Sequence, residues 1–518
     1  MKNLKYSIVS LCIFCLLGIS ACDNDLEVTN QNEPDIIRAF SNPRDLINTV
    51  GGGFLTWWNG TNGDQHPGLA LAIGANLTTG ERAGAGQQDF SEIPRIAYPN
   101  SVFYNRQETI DNPWFQNYAA LAAANAGLKA LDNGIELESE KEETMLRASA
   151  QMIQGLTLGQ LGTLFDQSVI VDENSTVEEI ASSKFEPHGV VVDMALLKFD
   201  AAIQTSGTMS FSLPNGFISG YDASNPLDNV KLAQFANTMA ARILMQNARN
   251  PEENLNTDWN RVLDYARKGI SGWDFAPSAE GAAEPGLWVD RYKRESSRPD
   301  RIRTSNEIIG LEGSTGQLEA WLALPPNDRR PFQVETNDRR VTAEGDPTAP
   351  GLYFGYDPST HGSVSRGWWR QSQYYHIRYA SHLNFTGPSY YCTEAENGLI
   401  IAEALLRTGG NKNEAVDIIN QTRVTNGQLP ALIGSESTEE LLNALMYERL
   451  LELGYTAAGL TYADKRRWEF TGPFVRGNGS GVYQHFTGTP RNLPVPAREL
   501  QTLGLEVYTF GGPTVADE

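Results

Sequence analysis

Apolar residues recur at i, i+3, i+4 and i+7 over long stretches of this chain, the period of a helix with one buried face. The pattern predicts helices over residues 45–58, 114–131, 142–165, 190–203, 232–247, 259–270, 398–408, 414–424 and 439–453. Local punctuation agrees. Ser41-Asn42-Pro43 supplies a cap and a first-turn proline before the first helix, and Asp132-Asn133-Gly134 a C-cap after the second. Gly409-Gly410-Asn411 is a tight turn between two helices, and the other predicted helices also fall into pairs. Alanines mark places where crossing helices approach closely: Ala119, Ala120, Ala122, Ala123 and Ala124 in one, Ala236, Ala240 and Ala241 in another, Ala402 and Ala404 in a third. The fold class expected is all-α with tetratricopeptide-like helix pairs, although a strict repeat signature is absent.

Two stretches break the period, about 59–113 and 272–390, both rich in Gly, Pro and aromatic residues. Loops of this length in a compact protein are functional or disordered, and the aromatic content argues against disorder. Their chemistry suits a carbohydrate. A sugar ring presents an apolar C–H face rimmed by hydroxyls, so a flat indole covers the face while amides, carboxylates and guanidiniums bond the rim. Trp288, Trp321, Trp368 and Trp369 stand in irregular, polar-flanked sequence with little core to join. In the adjacent pairs Trp57-Trp58 and Trp368-Trp369, two large rings pointing different ways rarely find one core, so one of each pair is expected at the surface. The glycine-rich stretch 80–89 adds Arg82, Gln88 and Asp89 as rim groups. These nine residues are the ligand-binding candidates.

The start of the chain is of another kind. Lys2 and Lys5 precede an apolar run from Ile8 to Ile19, followed by Ser20-Ala21-Cys22, the order of a secretory signal. A membrane-spanning helix needs roughly 20 apolar residues, more than this run offers. Ile19-Ser20-Ala21-Cys22 resembles the bacterial lipobox, which implies cleavage after residue 21 and a diacylglycerol on the Cys22 sulfur; several acyl chains on one residue anchor stably where one does not. Residues 22–40 are polar and acidic without helical period and read as a tether. Its acidic residues resemble the surface-export signal of Bacteroidetes lipoproteins, which points to the outer face of the outer membrane. Residues 41–518 are expected to form a single domain, since no linker-like composition interrupts them.

Of the 4 cysteines, Cys12 and Cys15 leave with the signal and Cys22 is lipidated, so Cys392 remains as a lone thiol, expected as a small buried apolar residue. The formal charge is -22. Losing Lys2 and Lys5 with the signal makes it more negative still. Nucleic acid is excluded as a partner, because contacts to its backbone need clusters of Lys and Arg.

The C-terminal third carries a set of motifs in order: Ala402-Glu403-Ala404-Leu405-Leu406-Arg407-Thr408-Gly409, Ile419-Asn420-Gln421-Thr422-Arg423, Glu448-Arg449-Leu450-Leu451-Glu452-Leu453, Gly459 through Asp464 to Arg467, and Leu493-Pro494-Val495-Pro496 with Glu499. With the lipobox, the Leu-x-Val-x-Asn after it, and Asn112-Pro113-Trp114 leading into a helix with Ala124-Asn125, this resembles the SusD/RagB family of nutrient-binding outer-membrane lipoproteins. Ala457-Ala458-Gly459-Leu460-Thr461 departs from the family's Phe-Glu-Gly-x-Arg, and Thr509-Phe510-Gly511-Gly512 from its Asn-Pro-rich ending. The resemblance implies a right-handed superhelical scaffold with a loop-rich ligand face. It also implies capture of an oligomeric ligand, a glycan first and a peptide as the alternative. The partner implied is a SusC-type TonB-dependent transporter, which the helical repeats would contact.

Catalysis and pure scaffolding are the competing classes. The 6 histidines show no metal spacing, and no nucleophile elbow or phosphate loop is present; Gly51-Gly52-Gly53 lies within a helical pattern. Glu448 and Glu452, one helical turn apart beside Arg449, are expected to pair within their helix or with Arg466 and Arg467 rather than to act on a substrate. No cofactor is expected.

Overall fold

The computed structural model describes residues 42–63, 67–80, 89–182, 184–281, 287–359, 370–468, 474 and 481–513. Cys22, the signal and the tether lie outside the described residues, as do Arg82, Gln88, Trp368 and Trp369.

Each helix that periodicity predicts is present. They are α1 (Pro43–Asn62), α3 (Glu108–Asp132), α4 (Glu140–Leu164), α5 (His188–Ser206), α6 (Asn229–Gln246), α7 (Trp259–Ala266), α8 (Glu394–Thr408), α9 (Lys412–Thr425) and α10 (Thr438–Leu453); α2 (Pro67–Gly74) and α11 (Leu460–Arg467) join them without having been predicted. The chain is all-α in its framework. Successive helices pack on one another, α1 with α3, α3 with α4, α4 with α5, α5 with α6 and α8 with α9.

Capping explains the boundaries. Ser139 opens α4 by accepting from the Glu142 N–H (3.2 Å), Thr393 opens α8 by accepting from Glu396 (3.1 Å), and Ser437 with Glu440 forms a reciprocal capping box on α10. Gly409 ends α8 at φ +67°, where any side chain would be strained, and Asn411 caps α9 two residues later. The start of α3 differs from expectation: the helix begins at Glu108, so Pro113 sits inside it near its N-terminal end rather than before it.

Close approach rests on glycine more than on alanine. A Cβ on Gly155, Gly159 or Gly162 of α4 would come within 2.7 Å of the Phe199 ring, 2.2 Å of Ile243 Cδ1 and 2.8 Å of Val192 Cγ2. These positions are spaced i, i+4, i+7, one stripe facing α5 and α6. Each glycine costs a helix about 1 kcal/mol against alanine, which the closer packing offsets. Ala120 and Ala124 are buried as expected, whereas Ala119 and Ala122 face solvent.

The described residues of the two aperiodic stretches carry more regular structure than the loss of period suggests. Region 59–113 contains α2, an apolar helix buried on all sides and so without helical period. Region 272–390 contains short helices at Arg291–Ser296, Asn306–Ile309 and Gln317–Ala323, and antiparallel pairs joining Ser278–Glu280 to Thr386–Pro388, Thr342–Ala343 to Asp346–Pro350, and Phe354–Tyr356 to Tyr374–His376. Elements this short complete too few periods to show in sequence.

α11 was missed because its Asp-Lys-Arg-Arg ending reads as surface, yet it is buried throughout. Arg467 makes two bonds to Glu403 (2.7 and 2.8 Å) and two to Asp464 (3.1 and 2.9 Å), while Arg466 donates to the carbonyls of Thr163, Gln246 and Arg491. Glu448 and Glu452 do not pair with Arg466 or Arg467 as expected. Glu448 meets Arg340 (2.6 Å), Glu452 meets Arg378 (3.1 Å), and Arg449 meets Asp464 (2.8 Å), all contacts distant in sequence or across helices. No described helix is long and apolar enough to cross a membrane.

Candidate functional site

Segments 76–79, 89–95, 303–305, 357–359 and 370–372 meet at one place on the helical frame. Thr79 N–H donates to the Arg303 carbonyl (2.9 Å), Thr78 pairs with Thr304, and Ser305 pairs with Gln371. Two buried guanidiniums tie the ends together. Arg370 donates to Asn76 Oδ1 and to the Ser91 carbonyl (2.6 Å); Arg95 donates to the same Asn76 oxygen (2.8 Å), to the Gly74 carbonyl (3.0 Å) and to Thr489 Oγ1 (2.9 Å). Both lie over the Phe486 ring, at 5.8 and 5.6 Å. Asn76 takes a left-handed backbone, φ +55°, which asparagine tolerates better than most side chains. Arg303 closes the group through Asp357 (2.9 Å). The residues flanking 81–88 and 360–369, the segments that hold Arg82, Gln88, Trp368 and Trp369, are therefore fixed side by side.

Asp89 stands at this place, partly exposed, and accepts a hydrogen bond from the Tyr104 hydroxyl. Burial, and then that bond, push the Tyr104 phenol above its ordinary pKa. Phe90 and Tyr98 are 5.5 Å apart and Tyr98 and Tyr104 6.0 Å, so the rings form a ladder. Beyond its end is Phe103, 93% exposed. Among the described residues it is the one aromatic side chain classed as exposed. The turn that carries it is firmly held: Asn100 donates to the carbonyls of Val495 (2.9 Å) and Tyr508 (2.8 Å) and accepts from Ala497 N–H (2.8 Å), and Ser101 Oγ accepts from Phe103 N–H (3.2 Å). A large flat ring on a fixed turn, open to water, is available to stack on a ligand, although lone exposed apolar side chains are common on protein surfaces. Sequence reasoning missed Phe103 because it weighed tryptophans; the signal available was an aromatic in Ser-Val-Phe-Tyr-Asn-Arg, polar-flanked within an aperiodic stretch.

Four of the tryptophan candidates are not at the surface. Trp57, Trp58, Trp288 and Trp321 are all buried, at 1, 0, 2 and 4% exposed. Trp57 and Trp58 find a common core after all, because Tyr391 packs against both (5.2 and 5.5 Å) and Trp288 against Trp58 (5.6 Å), covering the side of α1 that α3 leaves open. Trp58 Nε1 donates to the Val289 carbonyl (3.1 Å), and Trp321 Nε1 to that of Arg330 (2.9 Å) with the Arg329 guanidinium over its ring. Trp57 lines a pocket of about 40 Å³ together with Gln246, Met239, Tyr391 and Ala457. Cys392 is fully buried, and burial pushes its thiol up.

Compared by sequence, the chain matches no family model and no curated protein. Compared by structure, it is similar to a SusD superfamily protein from Parabacteroides distasonis at 14% identity and TM-score 0.58, over 89% of this chain and 98% of that one. A SusD-like carbohydrate binding protein from Bacteroides fragilis aligns at 12% identity and TM-score 0.56, over 89% and 98%. The surface glycan-binding protein A from Bacteroides uniformis aligns at 14% identity and TM-score 0.52, over 88% and 98%.

Proposed function

We propose that this chain, whose fold is that of the SusD-like proteins, is a lipid-anchored nutrient-binding protein of the outer-membrane surface. It captures an oligomeric ligand, a glycan first, and passes it to a SusC-type TonB-dependent transporter. The fold supports the reading, and two of the similar structures are described as carbohydrate- or glycan-binding. The observation that carries it is Phe103, an exposed ring on a pinned turn beside the junction of the loop segments. Asp89, which accepts from the hydroxyl of the next residue, Tyr104, supplies a rim acceptor. Binding without turnover is part of the proposal: Glu448 and Glu452, the carboxylate pair most like a catalytic one in sequence, are bound to Arg340 and Arg378.

The test is a binding screen of the mature protein against neutral oligosaccharides and against peptides of equal length. Oligosaccharide binding with micromolar or tighter Kd is expected, with no cleavage products. Phe103→Ala should weaken it by about 1–3 kcal/mol, as truncating a stacking contact does, with the melting temperature unchanged because the ring touches little of the protein. Preference for peptides would redirect the reading to the peptide-binding branch, and wild-type affinity in the variant would move the site elsewhere. Anchoring is tested separately. Cys22→Ala should leave the outer-membrane fraction, since only the thiol can carry the diacylglycerol; a variant that stays surface-accessible and membrane-bound would refute lipidation.

A further inference from the structure

The pocket of about 40 Å³ that Trp57 lines is enclosed by α1, α4, α6 and α11, and the small side chains of Ala457 and Ala463 leave it open. At about 10–15 Å³ for each oxygen-sized atom, it has room for about three. Thr61, Gln160, Arg242 and Gln246 are the polar members of its lining used below. They offer donors more than acceptors. Arg242 spends Nε and Nη2 on the Glu396 carboxylate and the Tyr391 carbonyl, while Nη1 bonds nothing. Thr61 Oγ1 accepts from Gln160 (3.0 Å) and from Asn62 (3.4 Å), so what it has left to give is its proton. Gln160 Oε1 is already taken by Asn117 (2.8 Å). Neither end of the Gln246 side-chain amide is hydrogen-bonded, and a half-turn of the amide presents its N–H to the pocket. The charge behind this lining is positive. Arg249 donates to the carbonyls of Gly162, Thr163 and Phe165, and Arg466 to those of Thr163, Gln246 and Arg491, so both hold the backbone of residues that line the pocket. Each is 3% exposed, and among the described residues neither guanidinium has a carboxylate within bonding distance. Burial, and then Arg466, hold the Arg249 guanidinium well below its ordinary pKa.

We infer that this pocket binds one small carboxylate, of the size of formate, which accepts from Arg242 Nη1 and from the other donors of the lining. A carboxylate only accepts, through two oxygens, which is what a lining of donors asks for. A hydroxyl or a water must also place its own protons, and few acceptors are left to take them. The charge agrees with the hydrogen bonding. Glu396 offsets Arg242 alone, so a bound anion supplies the counter-charge that Arg249 and Arg466 lack. The size limit follows from the volume, since a longer chain or a sugar acid has no room. The site is separate from the ligand face, because neither Phe103 nor Asp89 lines it, and it stands or falls independently of the proposed function. It makes the anion a fastening at the junction of four helices.

The test is thermal unfolding of the mature protein in sodium formate, with sodium gluconate at equal ionic strength as the control, since gluconate is too large to enter. Formate should raise the melting temperature saturably, by about 2 °C or more, as a ligand bound only by the folded state does. Gln246→Leu keeps the outline of the side chain and removes a donor, and it should lose most of that increment. Gln246→Glu places a carboxylate in the pocket covalently. In gluconate it should melt above the wild type, and it should gain nothing from formate. A pocket without cations to receive the charge would give the reverse, because burying an unpaired carboxylate is costly. Three results would each overturn the inference and leave the pocket to water alone: no increment from formate beyond gluconate, the full increment kept in Gln246→Leu, or Gln246→Glu melting below the wild type.

Discussion

Arg340→Met is expected to cost about 3–5 kcal/mol of unfolding free energy, the range for breaking a buried ion pair from one side. Arg340 is fully buried between Asp338 and Glu448, with Nη1 2.6 Å and Nη2 3.0 Å from the Glu448 carboxylate, Nη2 2.7 Å from Asp338, and Glu452 at 3.6 Å. Burial alone would lower the guanidinium pKa; Glu448 and Asp338 more than reverse that. The substitution would leave carboxylates without their cation in a region from which water is excluded. Some relief remains, since Thr422 donates to Glu448 (2.7 Å) and Tyr447 to Asp338 (2.6 Å). Urea unfolding followed by circular dichroism measures the loss. Adding Glu448→Gln to Arg340→Met should recover part of it, because one stranded charge is then gone. A single-variant loss below about 1 kcal/mol would mean that the carboxylates are hydrated or protonated in solution and that the network is not what fastens α10 to the 338–340 segment.

Trp58→Ala should be nearly as damaging, at about 3–5 kcal/mol, for a different reason: it opens a cavity in the core. The ring is fully buried against Trp57, Trp288 and Tyr391, and its indole N–H is bonded to the Val289 carbonyl. Trp288 adds to the sensitivity of this cluster, because it holds a left-handed backbone, φ +58°, that a bulky residue keeps only when packing imposes it. Thermal unfolding should show the loss, while the protein that remains folded binds oligosaccharide with wild-type affinity. The opposite outcome, an unchanged melting temperature with lost binding, would place this indole in the ligand site and refute the packing described. Phe103→Ala is the counterpart, binding lost and stability kept. The two variants together separate core aromatics from contact aromatics.

The helical framework was legible in advance wherever an amphipathic helix lies on a core. In α6 and α8 one face is apolar, and a cap residue with Glu or Lys three positions on marks the start of α4, α6, α8 and α10. What periodicity conceals is a helix buried all round. α2 is apolar at nearly every position and α11 ends in consecutive charges, and both lie inside. Hydrophobicity predicts burial only on average; a charge goes inside when an opposite charge is placed within bonding distance, as Glu403 is for Arg467. The partner is 64 residues away, so no local pattern announces it.

The same reason divides the candidate site. Sequence by itself determined the helix pairs, the turn between α8 and α9, the two aperiodic stretches, and Asp89 as a polar group within one of them. It could not decide which aromatics face water, because exposure depends on what the rest of the chain lays over a ring. Trp57 and Trp58 were expected to divide between core and surface, but Tyr391 and Trp288 arrive from distant segments to cover them. Phe103 was unremarkable as a letter, and became a contact candidate only when Asn100 fastened its turn to the C-terminal segment and left the ring with nothing on top. Periodicity is a property of neighbours along the chain, set by backbone geometry. Exposure is a property of neighbours in space, and only tertiary packing chooses those.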